Sequence, residues 1–442
     1  LRFTPFILIT ILSIFSVQAQ DNPDFYLNEN GITVMCPNAE FGDTGELNGI
    51  TYTKRTKEEI QNSGSDTEIA TSCTSGITDM SALLMSRTSF NEDISSWDVS
   101  NVTNMDSLFF DARSFDQSLA YWDVSQVTSM NSTFFYALEF NQPINSWDVS
   151  NVTDMSYMFS YAINFNQPIN SWDVSNVTDM SYMFRDARKF NETLKDWNVS
   201  NVTDMSGMFL SAAIFNQSLN DWDVSNVTDM SGMFHSAARL NRSLNDWDVS
   251  KVTLMKEMFR NARGLYTAAD MANWDVSNVT DMSYMFRDAT YFNAPINDWD
   301  VSNVTTMQGM FYNAAYFNQS LNDWDVSKVT HMGRMFSGSG FNGVIENWDV
   351  SNVTDMSFMF YNARAFNQSL NDWNASNVTD MSSMFRDARN FNESLNDWNV
   401  SNVTDMSYMF YIANSFNQPI GNWDVGNVTN MSNMFYIASK FN

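Results

Sequence analysis

The nine residues WDVSNVTDM, at positions 147–155, return along most of the chain with small changes. Tryptophan shows the period most clearly: of the intervals between the 14 tryptophans, one is 27 residues, one is 24 and all the others are 25. A fixed period of this length is typical of a solenoid, in which each unit packs only on its neighbours. The tryptophans are Trp97, Trp122, Trp147, Trp172, Trp197, Trp222, Trp247, Trp274, Trp299, Trp324, Trp348, Trp373, Trp398 and Trp423.

The apolar pattern within one unit predicts one helix and one strand. In the last full unit, apolar residues recur at i, i+3, i+4 and i+7 after the capping residue Thr404, which predicts a short helix over 405–413. Pro419 suits the start of a strand, so residues 420–425 around Trp423 are the predicted strand. The sequence therefore predicts an α/β repeat solenoid, a leucine-rich-repeat-like right-handed coil with one short parallel strand and one short helix per 25-residue rung.

Stacking such rungs would align the same side chain from every copy. The tryptophans would form one inward column, and columns of Met and Phe beside it would account for 30 Met and 35 Phe in one chain. Asparagines that follow a Phe or Leu, such as Asn166 and Asn191, would form a ladder that bonds turn backbone. The asparagines of the Asn-Val-Thr triplets, such as Asn151, are either turn residues or glycosylation acceptors, and collision between sugars on adjacent rungs favours the turn role.

Three regions follow from the sequence. Residues 1–19 have a basic start, an apolar run and a small-residue cleavage site, which predicts a signal peptide. Residues 20–72 do not repeat and predict an N-terminal cap, with a helical turn begun by Thr56 and Glu59. Residues 73–442 are about 14 tandem repeats, the first of which has Ser72 in place of its tryptophan. The chain stops within a repeat, which predicts a truncated C-terminal end.

Cysteine usage and charge restrict the partners. Cys36 and Cys73, the two cysteines of a chain with an export signal, are expected to pair, the alternative being two free thiols. The net charge of −28 disfavours nucleic acid and anionic lipid, and no second apolar span suggests a membrane segment after the signal. Asp follows most of the tryptophans, so carboxylates of stacked rungs would repel one another. Either solvent screens this repulsion or calcium bridges the rungs, and screening is the expectation. The sequence predicts no cofactor.

Two units break the period. The interval after Trp247 has two extra residues around 264–267, and the interval after Trp324 is one residue short around 338–340. Because changes of repeat length fall in loops, these places are expected to be local kinks and possible contact points.

The sequence predicts a binding surface rather than an active site. His235 and His331 stand four rungs apart, and no nucleophile, metal cluster or phosphate loop can be assembled. Positions ten and thirteen after the tryptophan vary between copies and often carry Tyr or Arg, which are enriched in interfaces. The alternative is an ordinary solvated helix surface. The partner-binding candidates are Tyr182, Arg185, Tyr284, Arg287, Tyr408 and Tyr411.

The motifs WDVSNVTDMSYMF, at 147–159, and FNQSLNDW, at 215–222, resemble a bacterial surface-protein repeat of about 25 residues. That repeat is found in BspA-like leucine-rich-repeat surface proteins, in lipoprotein-type proteins and in mycoplasma proteins of unknown function. The segment 29–56 is similar to the one that often precedes such arrays. The resemblance implies a secreted or bacterial cell-surface scaffold without catalytic residues that binds an extracellular protein or glycan. A structural surface-layer or spacer protein is the alternative.

Overall fold

The computed structural model describes residues 22–266 and 271–442, and the predicted signal peptide at 1–19 lies outside the described residues. Every named helix and strand of this part of the chain falls before residue 74. The elements are β1 (Tyr26–Leu27), β2 (Val34–Met35), β3 (Thr44–Leu47), β4 (Ile50–Lys54), α1 (Lys57–Asn62), α2 (Asp66–Ala70) and β5 (Ser72–Cys73). Strands β1 and β2 form an antiparallel pair, and a three-stranded sheet has the order β3-β4-β5, with β4 and β5 parallel.

Helix α1 begins where the sequence predicts. The Thr56 side chain accepts a hydrogen bond from the Glu59 backbone N–H, and the Glu59 carboxylate accepts one from the Thr56 N–H at 2.8 Å. This reciprocal capping box satisfies two backbone donors that the first helical turn leaves free. The predicted cap of this helix is confirmed.

The two short helices cover the open end of the array. Ile60 of α1 and Ile69 of α2 are fully buried and belong to the same apolar core as the rungs. The Trp97 indole N–H donates to the Ile69 carbonyl at 3.3 Å. In the next rung, the Trp122 indole donates in the same way to Ile94. Helix α2 therefore supplies the acceptor that a preceding rung would supply.

The predicted Cys36–Cys73 disulfide is present. Both cysteines are fully buried and pack with Phe25 and Val34 in a second, smaller apolar cluster. The bond joins the residue after β2 to the last residue of β5, so it ties the start of the cap to the strand that leads into the array.

The prediction of one helix and one strand per rung was wrong for the described rungs. Within the predicted helix at 405–413, Asp405 forms a bridge and residues 407–412 form turns, and the predicted strand at 420–425 contains a turn at 421–422 and no strand. One parallel bridge per rung lies instead at the Asp of the Val-Thr-Asp-Met motif, for example Asp179 with Asp204. The repeat solenoid itself is confirmed.

Backbone hydrogen bonds between rungs explain why the helix does not form. The N–H groups of Met180, Tyr182 and Phe184 donate to the next rung at 2.8–3.0 Å, so they are not available for i→i−4 bonds. The N–H of Met183 closes a turn onto Met180, and Tyr182, the third residue of that turn, has φ 54°. Asp186 also has positive φ, four residues later. A coil of four-residue turns thus brings the same apolar positions inward as a helix would.

The inward tryptophan column is confirmed. Trp222 is 3% exposed, and its ring centroid lies 6.4 Å from that of Trp197, with the two planes 5° apart. Its indole N–H donates to the Leu194 carbonyl at 3.0 Å, which satisfies the one polar group of this buried side chain. Phe209, of the preceding rung, stacks on Phe215 at 4.1 Å and contacts the same tryptophan.

Two asparagine ladders run along the array. In the predicted ladder, the Asn191 backbone N–H donates to the Asn166 side-chain oxygen at 2.8 Å, and Asn216 donates to Asn191 at 2.9 Å. In the second ladder, the side-chain nitrogen of an Asn-Val-Thr asparagine donates to a serine carbonyl of the preceding rung, as in Asn176 to Ser150 at 2.7 Å. That nitrogen is the atom that glycosylation would modify, so this bond favours the turn role.

We expect Trp222→Ala to destabilise the array locally by about 3–5 kcal/mol, because it removes a buried aromatic side chain and its hydrogen bond. Rungs contact only their neighbours, so amide protection should fall in the mutated rung and the rungs on either side of it. Hydrogen exchange read by mass spectrometry measures this, with Tyr121→Ala, an exposed tyrosine, as the control. Unchanged protection next to Trp222 would contradict the role of the column.

Removal of the disulfide should destabilise the cap more than the distant rungs. The loop between the cysteines spans 37 residues, and closing a loop of that size is worth about 4 kcal/mol in the chain-entropy model. Mass spectrometry of the unreduced protein should find the two cysteine peptides linked, and Cys36→Ser with Cys73→Ser should lower cap protection. Two alkylatable thiols in the native protein would disprove the pairing.

Candidate functional site

The six predicted contact residues form three neighbouring pairs on the array surface. The Arg185 guanidinium lies 5.6 Å from the Tyr182 ring centroid, and the same distance for Arg287 over Tyr284 is 5.5 Å. The ring centroids of Tyr408 and Tyr411 are 5.6 Å apart. All six side chains are half-buried, and they project from turns rather than from the predicted helix. The predicted residues are thus brought together in pairs, and the three pairs lie on separate rungs.

Each pair is packed against residues of neighbouring rungs. Tyr182 lies over Gly207, where a Cβ atom would come within 2.3 Å of the tyrosine ring. Gly207 has φ +58°, so glycine there both allows the left-handed turn and leaves room for the ring. Tyr284 covers Gly309 in the same way. These rings therefore present their edges and hydroxyl groups, rather than their faces, to solvent.

A continuous group of stacked rings surrounds Tyr182, and we name six of its residues the aromatic face. The Tyr157 and Tyr182 rings stack at 4.8 Å, and the Arg185 guanidinium lies 5.1 Å from the Tyr161 ring. Tyr161 stacks on Tyr136 at 4.5 Å, and Phe135 contacts both of these rings. The aromatic face is Phe135, Tyr136, Tyr157, Tyr161, Tyr182 and Arg185.

Sequence reasoning missed half of this face. Phe135 lies thirteen residues after a tryptophan, and Tyr136 and Tyr161 lie fourteen residues after one, which is outside the two positions that the sequence pattern singled out. In the turn coil the fourteenth position is the second residue with positive φ in each rung: Tyr136 has φ 60° and Tyr161 has φ 59°. The adjacent pair Phe135-Tyr136 was the signal in the sequence that could have indicated it.

The other two pairs belong to separate clusters. Arg287 lies 4.8 Å from the Tyr312 ring as well as over Tyr284. Arg386 is within 4.8–5.5 Å of Tyr361, Tyr408 and Tyr411. Arginine stacked on tyrosine of the same or a neighbouring rung is therefore a recurring element of this surface, worth about 0.5–1 kcal/mol per contact.

Acidic side chains follow most of the tryptophans. The Asp173 carboxylate accepts the backbone N–H of Ser175 at 3.0 Å, and hydrogen bonding by Ser175 holds the pKa of this carboxyl below its usual range. Asp173 and Asp196 flank an open groove of about 630 Å³ beside Trp172. Across residues 22–266 and 271–442, no three His, Cys, Asp or Glu side chains are grouped so that they could hold a metal ion.

The bridging position of each rung carries a second acidic column. Asp154, Asp179, Asp204 and Asp229 follow one another in adjacent rungs. Partial burial raises the pKa of Asp204, and the charges of Asp179 and Asp229 on either side raise it further. The backbone N–H of Ser206 opposes this rise by donating to Asp204 at 2.8 Å. Ionised Asp204 therefore costs stability at neutral pH.

The two histidines lie in different surroundings. The His235 ring is 3.3 Å from the Glu257 carboxylate, and burial and the Arg260 charge lower the pKa of His235. His331 occupies the bridging position of its own rung, between Thr306 and Asp355. The two rings are not brought together.

Comparison with known sequences identifies the repeat. Five overlapping stretches match the family described as "Mycoplasma protein of unknown function, DUF285", and together they extend from residue 55 to the end of the chain. The chain belongs to this family. The match confirms the resemblance to mycoplasma repeat proteins of unknown function, and no curated protein matches the chain. The matched stretches are 55–170, 117–211, 159–268, 243–343 and 338–442.

Two leucine-rich-repeat structures show weak similarity. TLR13 in the TLR13–ssRNA13 complex is 10% identical with a TM-score of 0.21, and the match covers 72% of this chain and 46% of TLR13, so this chain spans about half of the TLR13 chain. The Leptospira interrogans leucine-rich-repeat protein LIC12759 is 6% identical with a TM-score of 0.15, and the match covers 75% of this chain and 90% of that one. No helix in the described residues is long and apolar enough to cross a membrane.

We expect Asp204→Asn to raise the melting temperature at neutral pH. The substitution removes a carboxylate whose pKa is raised, and Asn104 occupies the same position of an earlier rung and accepts the equivalent backbone bond at 2.8 Å. The penalty of ionised Asp204 disappears as the pH falls through its folded pKa, so the gain should vanish near about pH 3, where carboxyls are protonated.

Asp173→Asn is the matched control, for which we expect the opposite change in melting temperature at neutral pH. The pKa of Asp173 is lowered, so its contribution is present above the unfolded pKa and is lost as the pH falls through the folded pKa. The substitution should therefore slightly lower the melting temperature at neutral pH. Calorimetry from pH 3 to 7 measures both variants. A lower melting temperature for Asp204→Asn at pH 7 would contradict the conclusion that ionised Asp204 costs stability.

Proposed function

We propose that this chain is a non-catalytic, secreted or cell-surface scaffold that binds an extracellular protein through its aromatic face. The single observation that carries the proposal is the continuous group of five aromatic rings and one arginine across neighbouring rungs. Tyrosine and arginine supply a large share of the binding energy in protein interfaces.

The division between repeated and varied positions supports a scaffold. The tryptophan, valine, methionine and phenylalanine columns are buried, so they build the core of every rung. The tenth position after the tryptophan is Tyr in some rungs, Gly or Ser in others and Glu, Arg, Phe or Asn elsewhere. The fold tolerates this variation because the position lies at a turn on the surface. One region of the array can therefore carry a binding surface without altering the core.

The stacking within the aromatic face suits rigid recognition. Arg185 is held between Tyr161 and Tyr182, so little side-chain freedom is lost when a partner binds. The Tyr157 hydroxyl is protonated at neutral pH and can donate a hydrogen bond, and burial raises its pKa further. Tyrosine, with an apolar ring and a polar hydroxyl, and arginine are both enriched in protein interfaces.

Location outside the cytoplasm is part of the proposal. The predicted signal peptide supports export, and a buried disulfide suits an oxidising compartment. The second candidate function, a surface-layer or spacer protein, is favoured by the long regular array. A spacer needs no distinct surface, so loss of binding on substitution of one face separates the two functions.

The test compares two pairs of the same chemistry. Tyr182→Ser with Arg185→Ser should weaken partner binding by more than about 1 kcal/mol if these residues are hot spots. Tyr284→Ser with Arg287→Ser, four rungs away, should weaken it less, because that pair lies outside the aromatic face. Each double variant should cost about 1 kcal/mol of stability through lost stacking.

The partner comes first from a pull-down with the purified chain on host or neighbouring bacterial surfaces, followed by calorimetry with the isolated protein. Parent-like affinity of both double variants would exclude the aromatic face as the site. The next residues to substitute would then be the aspartates that flank Trp222 and Trp299, which are Asp221, Asp223, Asp298 and Asp300.

A further inference from the structure

The cap and the array have separate apolar cores, and a pocket lies where they meet. Leu27, Leu47 and Tyr52 pack against the small cluster around the disulfide, whereas Ala70 of α2 packs against the core of the rungs. All four residues also line a cavity of about 370 Å³, which is within the size range of small-molecule sites. We name this cavity the cap pocket.

Two links hold the surroundings of the cap pocket in place. The disulfide joins Cys36, next to β2, to Cys73 in β5. The backbone N–H of Val34 in β2 donates to the carbonyl of Ser96 at 2.8 Å, and Ser96 itself lines the pocket. A pocket whose walls are already fixed loses little conformational entropy when a ligand binds.

Apolar side chains supply a large part of the lining. Leu27, Ile32 and Leu47 are half-buried, and Ile50 is 45% exposed. A ligand with an apolar body would remove part of this surface from water, which favours binding. The pocket therefore suits a molecule that is partly hydrocarbon.

The charged part of the lining is entirely acidic. Glu92 and Asp93 both line the pocket and are both exposed, so water and a ligand can reach them. None of the described residues that line the pocket is Lys, Arg or His. Neither acid takes part in an ion pair within the described residues. The pocket therefore carries two negative charges that no basic side chain of its own lining neutralises.

Tyr52 connects the apolar part of the lining to the acidic part. Burial raises the pKa of the Tyr52 phenol, a hydrogen bond with the Ser96 side chain opposes this rise, and the negative charge of Asp93 adds to it. The Asp93 carboxylate is thus close enough to act on a ring that packs with the leucines of the cap. One ligand can therefore touch apolar side chains and an acidic group together.

We propose that the cap pocket binds a small organic amine, with its apolar body among the leucine and isoleucine side chains and its ammonium group at Glu92 and Asp93. An ammonium group has three N–H donors, and hydrogen bonds between charged partners are stronger than neutral ones. A carboxylate ligand would be repelled by both acids. The net charge of −28 also attracts cations to the protein.

This inference goes beyond the proposed function and does not depend on it. The residues that line the cap pocket all lie between positions 27 and 96, whereas the aromatic face lies between positions 135 and 185. Substitutions in one site leave the other intact, so either proposal can fail alone.

The test is an NMR titration of the purified chain with hexylamine, and with hexanol and hexanoate as probes of the same chain length. We expect hexylamine to bind at least about tenfold more tightly than hexanol, because only the amine forms charge-assisted hydrogen bonds. Hexanoate should bind most weakly. Added salt should weaken the binding of hexylamine and leave that of hexanol nearly unchanged.

Two variants separate the two parts of the pocket. Glu92→Gln with Asp93→Asn should weaken hexylamine binding about tenfold and leave hexanol binding unchanged, because shape is kept and charge is lost. Asn at position 93 can still accept the Ser95 backbone N–H that Asp93 accepts at 2.9 Å. Ile50→Ser should weaken both probes, because it removes apolar surface from the lining.

Glu46→Gln is the matched control. Glu46 is an exposed acid of the same cap that does not line the pocket, and it lies on the opposite side of β3 from Leu47. This variant should bind hexylamine like the parent, and melting curves verify that every variant folds.

The absence of amine binding at millimolar concentration overturns the proposal. Equal affinity for hexylamine and hexanol does so as well, as does parent-like amine affinity of the folded double variant. Binding of Nα-acetyl-lysine methylamide without binding of the free amine would instead assign the pocket to a lysine side chain of a partner protein.

Discussion

The structure depends on backbone hydrogen bonds that run between rungs rather than within them. Alternate N–H groups of each turn coil, such as those of Tyr182 and Phe184, donate to carbonyl groups of the next rung. A non-glycine residue with positive φ costs about 1 kcal/mol, and most rungs hold two such residues, as at Tyr182 and Asp186. The inter-rung bonds, each worth about 1 kcal/mol net, offset this strain only when a neighbouring rung is present.

That dependence explains the cap. A first rung has no preceding rung to cover its apolar side, so α2 provides Ile69 both as a buried side chain and as the acceptor for the Trp97 indole. The Cys36–Cys73 disulfide then holds the start of the cap against the strand that enters the array. The cap thus supplies, with different secondary structure, the contacts that each later rung receives from its predecessor.

The sequence predicted the features that follow from spacing alone. The tryptophan period gave the inward column, the position of Asn after Phe gave the ladder, and Thr56 with Glu59 gave the start of α1. The secondary structure of the rung was mistaken because four-residue turns and an α-helix place nearly the same positions inside. Hydrogen bonding to the next rung decides between the turns and the helix, and the residue pattern of one rung does not show that bonding.

The same reasoning explains which candidate residues could be found. The pairs Tyr182 with Arg185 and Tyr284 with Arg287 were found because three-residue spacing makes neighbours in a turn as well as in a helix. Tyr161 was missed because its contact is with Arg185 of the next rung. Contacts between residues of different rungs need the rung geometry and cannot be inferred from the order of residues in one copy.

A regular array presents the same surface at every rung, so distinct sites require departures from regularity. At the aromatic face the departure is in side chains: rings occupy adjacent rungs, and Gly207 in the next rung makes room for Tyr182. In the rung after Trp324 the departure is in length: one residue is missing near Gly340, yet the Trp324 and Trp348 rings still stack at 6.3 Å. The core tolerates both changes because the turns carry them, and the buried columns therefore fix where a binding surface can arise.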